Sequence, residues 1–172
     1  MIREAIFSIT EEKRDLTEYE AYVVMDSIMR AGNDETEDIV TPAQFGAFLV
    51  ALRLKGETVD EIVGMAKSMR EHSLSIDVNT LPLLDTCGTG GSSRKVFNAS
   101  TAAAFIASAA GAKVAKHGNR AMSSRSGSAD LLEALGAVIS LPPSAVAQCI
   151  EQVGIGFLFA QSFHPSMKFA GP

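Results

Sequence analysis

The sequence predicts an α/β protein, with a small N-terminal helical domain over residues 1–74 and a largely parallel α/β domain over residues 75–172. Three observations lead there. Before residue 75, apolar residues recur at helical spacing behind helix-start signals. From residue 80 onward, short apolar runs alternate with glycine turns and helix patterns. A composition of 47% hydrophobic and 20% charged residues over 172 positions is enough for a packed core and is not that of a disordered chain.

In the helical part, Thr17 with Glu20 forms a capping box, Thr41-Pro42 places a cap residue before a proline at the first helical position, and Thr58 with Glu61 forms a second box. Phe45, Phe48, Leu49 and Leu52 then fall at i, i+3, i+4 and i+7, and Gly56 stops that helix. Val59, Ile62, Val63 and Ala66 repeat the spacing. The run Gly32 to Asp38, rich in turn formers and carboxylates, reads as a solvated loop rather than a metal site, whose ligands need definite geometry. His72 at a helix end and His164 before Pro165 are expected to have structural roles.

Beyond residue 80, LPLLDTC reads as a strand, CGTGGSSRK as a loop and NASTAAAFIASAAG as a helix closed by Gly111. AKVAK follows as a second strand, and SADLLEALG begins a further helix. Leu141-Pro142-Pro143-Ser144 turns into the helix AVAQCIEQV, and IGFLFA reads as a buried strand. Alternation of this kind implies βαβ units and a parallel sheet, with ligands bound at the loops that follow the strands.

Charge and cysteine usage narrow the function classes. A net charge of -5 argues against a broad electrostatic footprint for nucleic acid, so any basic site is local. MIREAIFSITEEKRD has no apolar run of signal-peptide length, and no stretch reaches the roughly 18 apolar residues of a membrane span. Two cysteines, Cys87 and Cys149, are too few for a disulfide framework and point to a reducing, cytoplasmic setting. Cys87 is expected to be a packing residue, with no base spaced to activate it.

Three loops share one chemistry. Gly88, Gly90 and Gly91 let backbone N–H groups approach an anion closely. Asn98, Ser100 and Thr101 stand at a helix start, where N–H groups and the helix dipole favour phosphate. Lys116, Arg120, Ser123 and Ser124 add charge and donors from the next loop. Together they describe a cradle for a multiply phosphorylated ligand.

DTCGTGG, FNASTAAAF, VAKHGNR and SSRSGSADLLEALG, in this order and spacing, closely resemble the anthranilate phosphoribosyltransferases of tryptophan biosynthesis. TPAQFGAFLVALRLKGET and GIGFLFAQSFHPSMK agree with the same family, so the resemblance covers almost the whole chain. It implies transfer of a phosphoribosyl group from phosphoribosyl pyrophosphate to the amine of anthranilate, with Mg²⁺ on the pyrophosphate and a homodimer formed through the helical domains. Carried over by position, Gly88, Gly91 and Ser92 match glycine-loop contacts to phosphoribosyl pyrophosphate, and Asn98, Ser100 and Thr101 match those at the helix start. Ser100 also matches a magnesium ligand. Lys116, His117, Gly118, Asn119, Arg120, Ser123 and Ser124 match the second phosphate loop, with Asn119 an anthranilate contact, His117 a loop-shaping or substrate-edge residue, and Ser128 a second magnesium ligand or phosphate contact.

Where the family continues its glycine loop with Asp-Gly, this chain has Ser92, Ser93, Arg94, Lys95 and Val96, which leaves room for Arg94 or Lys95 to meet the phosphates directly. Family members also continue well past the position of Pro172, so the chain is expected to match the N-terminal portion of such an enzyme and the first part of its larger α/β domain. Two alternatives stay open at this level: a pyrimidine nucleoside phosphorylase-like enzyme, which shares the architecture and a glycine-rich phosphate loop, and a non-catalytic fragment that dimerises and binds an anion.

Overall fold

The structure, a computed structural model, describes residues 1–31, 40–88, 97–121 and 126–165. Two compact units divide the described chain, one built on Met1–Ser73 and the other on Leu74–Phe163. The carboxylate-rich stretch from Gly32 to Asp38 lies outside the described residues.

The first unit holds four helices, α1 (Ile2–Thr10), α2 (Glu18–Arg30), α3 (Pro42–Lys55) and α4 (Val59–Glu71). The boxes at Thr17/Glu20 and Thr58/Glu61 form as expected, and Thr41 makes a full box as well, because Gln44 reaches back to its N–H. Gly56 ends α3 at φ 88°, a backbone conformation that a side chain would strain. Helix α1 is not among the helices expected from the sequence. Its cap is Met1, without a capping side chain, so only the spacing of Ile2, Ala5 and Ile9, all buried, marks it.

Helix α4 lies where expected but buries a different face. Val59 and Ile62 are exposed, as is Ala66, while Glu61, Gly64 and Ser68 are buried. The cause is tertiary. A Cβ at Gly64 would stand 2.1 Å from the Glu18 carbonyl oxygen and 2.9 Å from Tyr22 N, so α2 and α4 approach backbone to backbone there. Gly64→Ala is therefore expected to destabilise this unit by roughly 1–3 kcal/mol, because rigid backbone must move. Thermal unfolding measures it, and an unchanged melting temperature would contradict the packing described.

Glu61 is fully buried and satisfied. Its carboxylate accepts from Leu16 N at 2.9 Å, Thr58 N at 2.8 Å and Lys55 Nζ at 3.0 Å, and Lys55 also reaches Asp15 at 2.6 Å. One side chain thus caps α4, fixes the α1–α2 connection and pairs with the end of α3.

The second unit contains β1 (Leu83–Leu84), α5 (Ala99–Ala109), β2 (Lys113–Gly118), α6 (Ser128–Ala134), α7 (Pro143–Val153), β3 (Ile155–Phe159) and the short α8 (Ala160–Phe163). The described strands form one parallel sheet in the order β1-β2-β3, with Leu84 beside Val114 and Lys116 beside Phe157. Helix α6 packs Ala129 and Leu132 against Phe157 and Phe159, and α7 packs Val146 and Ile150 with Leu158 and Ala115. Successive strand residues face opposite sides, so helices cover both faces of the sheet. Gly156 allows the closest of these approaches, since a Cβ there would meet Val146 O at 2.8 Å. All three strands run the same way, so the segments after Leu84, Gly118 and Phe159 lie at one edge of the sheet.

A candidate anion-binding site

Strand β2 alternates half-buried and buried positions, and Lys116 falls on the buried set between Val114 and Gly118. Apolar or small side chains belong there; instead a lysine is 1% exposed. Its Nζ lies 3.4 Å from Thr86 Oγ1 and 3.4 Å from Ser100 Oγ. Among the described residues no carboxylate comes within ion-pair distance of it. The undescribed stretches 89–96 and 122–125 contain no Asp or Glu, only further Arg and Lys. Burial pushes the Lys116 ammonium below its ordinary pKa, with Asp85 and Cys87 opposing that shift. A buried cation with two neutral hydroxyls as neighbours is an electrostatic deficit that an anion would correct.

The neighbouring elements are arranged around that charge. Thr86, just past β1, donates to the Ser100 carbonyl at 2.8 Å, tying the strand end to the first turn of α5. Asn98 caps α5 by position, but its side chain makes no capping bond. It donates instead to Gly127 O at 2.9 Å, which keeps a side-chain carboxamide off the helix's N-terminal N–H groups. Thr101 is buried and donates to Asn98 Oδ1 at 3.4 Å.

Of the residues singled out from the sequence, Ser100 and Lys116 meet directly, and Asn98 and Thr101 adjoin them. Gly88 is exposed beyond the β1 edge. The His117 N–H donates to Asp85 Oδ1 at 3.3 Å, an oxygen that also accepts from Cys87 N at 2.9 Å. Cys87 is exposed rather than packed, and its sulfur lies 3.9 Å from His117 Nδ1. Short β1 ends before it, so the thiol stands on the loop. Gly118 is buried where a Cβ would meet the Phe157 ring at 2.8 Å and Ser128 Cβ at 2.9 Å. Asn119 is exposed; its Oδ1 accepts from Arg120 N at 2.8 Å, leaving the amide NH₂ as the group it presents. The Arg120 guanidinium faces Glu133 and Asp130, with its Cζ 5.7 Å from the Phe159 ring centroid. Gly90, Gly91, Ser92, Arg94, Lys95, Ser123 and Ser124 lie outside the described residues. Thr86 and Asp85 were not anticipated; their place at a strand end beside the glycine turn was the available signal.

For magnesium, the described residues contain no group of three or more His, Cys, Asp or Glu side chains suited to a metal. Ser100 offers one neutral oxygen, already beside an ammonium. That donor set fits only an ion carried in on phosphate oxygens, the usual manner in which Mg²⁺ reaches such sites.

The architecture is thus a helical unit followed in sequence by a parallel α/β unit, with a buried lysine at the carboxyl edge of the sheet, where ligands of open α/β folds bind. Residues 3–73 match the helical bundle domain of a glycosyl transferase family and residues 80–172 match the a/b domain of the same family. The chain belongs to this glycosyl transferase family. It is 56% identical over 171 residues to an anthranilate phosphoribosyltransferase of Roseiflexus castenholzii, an alignment covering 99% of this chain and 48% of that protein. The crystal structure of anthranilate phosphoribosyltransferase from Thermus thermophilus superposes with a TM-score of 0.85 at 47% identity, covering 99% of this chain and 48% of that one. The Saccharomyces cerevisiae enzyme in complex with phosphoribosyl pyrophosphate and Mg superposes with a TM-score of 0.84 at 28% identity, covering 98% of this chain and 49% of that one. The chain spans about half the length of the curated relatives it matches. Among the described residues no helix is long and apolar enough to cross a membrane.

Proposed function

We propose that this chain carries the phosphoribosyl pyrophosphate-binding part of an anthranilate phosphoribosyltransferase. The α/β domain, residues 75–172, would hold the pyrophosphate, and the helical domain, residues 1–74, would precede it. The observation that carries this reading is Lys116, buried between the hydroxyls of Thr86 and Ser100 with no carboxylate at ion-pair distance among the described residues.

In the proposed reaction the anthranilate nitrogen bonds to the ribose C1 as the C1–O bond to pyrophosphate breaks, and the amine loses a proton to solvent water. Lys116 offsets charge on the departing pyrophosphate, while the hydroxyls of Ser100 and Thr86 and the N-terminus of α5 orient it. Gly88, Gly91, Ser92, Thr101, Gly118, Ser123, Ser124 and Ser128 complete the proposed phosphate contacts. Asn119 presents its amide NH₂ to the anthranilate carboxylate, and His117 shapes the loop beside it. Ser100 would help hold a Mg²⁺ ion brought in with the phosphates, and the ion would supply further neutralisation of the leaving group. Positioning and charge account for the chemistry, with no side-chain nucleophile.

A cytoplasmic setting fits two free cysteines. A homodimer through the helical unit fits the apolar side chains left on its surface, Leu54 at 82%, Val50 at 58% and Phe7 at 56% exposure. Val50→Glu with Leu54→Glu is expected to give a monomer by light scattering; an unchanged dimeric mass would exclude this face.

The reaction is tested by supplying anthranilate, phosphoribosyl pyrophosphate and Mg²⁺ and following pyrophosphate release, beside a parallel assay with a pyrimidine nucleoside and phosphate. Release only in the first mixture supports the proposal. Nucleoside cleavage in the second would transfer the reading to a nucleoside phosphorylase.

A further inference from the structure

We propose that Asp130 is a positioning residue for this pyrophosphate site: without touching the ligand, its carboxylate ties Ala121 to Gly127 and so holds Ser128 and the start of α5 at Asn98 in register with Lys116. The inference rests on the reading above.

Asp130 Oδ2 accepts from Gly127 N at 2.7 Å and from Ala121 N at 2.9 Å. The first bond is a reach back to the cap residue of α6 and serves that helix. The second does not: Ala121 lies nine residues before Asp130 and belongs to the segment that leaves β2. A single oxygen therefore joins the exit of one strand to the entry of the next helix.

The junction is tight. A Cβ on Gly127 would stand 2.5 Å from Ala121 N and 2.5 Å from Asn119 O, so only glycine permits the approach. Ala129 N donates to Asn119 O at 3.2 Å across the same gap. From the other side, the Asn98 carboxamide donates to Gly127 O at 2.9 Å, which connects the start of α5 to the junction. Arg120 braces it from outside: one Nη lies 3.3 Å from Asp130 Oδ1, and the guanidinium also grips Glu133. The N–H groups of Gly127 and Ala121, aided by Arg120, hold the Asp130 carboxyl below its ordinary pKa, so it stays an acceptor at neutral pH. The placement of Ser128 and of the α5 start thus depends on one carboxylate, whose oxygens are taken up by Gly127 N, Ala121 N and Arg120.

The consequence is geometric. Lys116 by itself can bind one phosphate. Binding two linked phosphates better than one requires the second set of donors at a fixed distance, and that distance is what the junction sets.

The test uses the full chain and calorimetric titration with inorganic pyrophosphate and, separately, orthophosphate. Wild type is expected to prefer pyrophosphate by about tenfold or more. Asp130→Ala is expected to keep its orthophosphate affinity within about twofold and lose most of that preference. Asp130→Asn, whose amide oxygen still accepts both N–H groups, is expected to restore it to within about threefold of wild type. Gly127→Ala, which forces the junction apart by a different route, is expected to reproduce the loss, so the proposal stays testable if Asp130→Ala does not fold. A merely structural role would lower both anion affinities together. Preference retained in Asp130→Ala or in Gly127→Ala overturns the inference and leaves the site assignment standing. Wild type failing to bind pyrophosphate overturns the site assignment, and the inference with it.

Discussion

A Lys116→Met chain is expected to melt at a higher temperature than the wild type and to bind pyrophosphate about ten- to a hundredfold more weakly. Both effects have one cause. The ammonium is buried with no carboxylate at ion-pair distance among the described residues, and Asp85 and Cys87 offset its desolvation only in part, so the folded protein bears a net desolvation cost in the absence of ligand. Methionine has a similar length and fits an apolar strand position between Val114 and Gly118. Replacing a poorly compensated buried charge by a packed apolar group typically stabilises by roughly 1–4 kcal/mol. Losing charge-assisted bonds to phosphate, worth roughly 1.5–3 kcal/mol, removes the affinity.

The pH dependence follows from the direction of the shift. Because the folded-state pKa lies below the ordinary 10.5, the folded state gives up its proton first as pH rises. The stability deficit of the wild type relative to Lys116→Met is therefore full below the depressed pKa and shrinks as pH climbs toward the unfolded value. A lysine kept for structure would behave oppositely, with the substitution lowering the melting temperature. Differential scanning calorimetry across neutral to alkaline pH separates the two.

Glu61→Ala is expected to cost the helical unit about 3–5 kcal/mol, the range for breaking one side of a buried, hydrogen-bonded charge pair. The loss leaves Leu16 N and Thr58 N without their acceptor and Lys55 with Asp15 and the Gly56 carbonyl. Burial works against the Glu61 charge, but the Thr58 and Leu16 N–H groups and the Lys55 ammonium outweigh it and hold the carboxyl below its ordinary pKa. Its contribution is thus present above the unfolded-state pKa of about 4.3 and is lost as pH falls through the lower folded value. Tyr19 and Tyr22 both sit in α2, and the chain has no tryptophan, so tyrosine fluorescence reports this unit selectively. Urea unfolding followed by that signal should shift its midpoint strongly in Glu61→Ala. A midpoint equal to that of the wild type would mean the network contributes nothing.

What could be read from the sequence was local chemistry. Capping boxes involve residues three apart, and all three of those helix starts form. Strand runs broken by glycine turns and helices likewise identify a parallel sheet, because each signal sits within one short segment. The buried face of α4 was not legible, since Gly64 matters only once α2 lies against it. Helix α1 has no capping side chain, so no local signal marks its start. In the site, Ser100 and Lys116 were readable as residue types at a helix start and a strand end. Their meeting, the part of Thr86, and the turning of Arg120 toward Asp130 and Glu133 depend on pairs ten to thirty positions apart.

The proposed pyrophosphate site at the carboxyl edge of the β1-β2-β3 sheet is organised by Lys116. The most direct measurement is an amide-resolved nuclear magnetic resonance titration of the ¹⁵N-labelled chain with pyrophosphate. A site there is expected to give saturable shifts concentrated at Asn98–Thr101, Lys116–Asn119 and Gly127–Ala129, absent from α1 to α4 and abolished in Lys116→Met. Shifts centred on the helical unit, or shifts that persist unchanged in Lys116→Met, would contradict it.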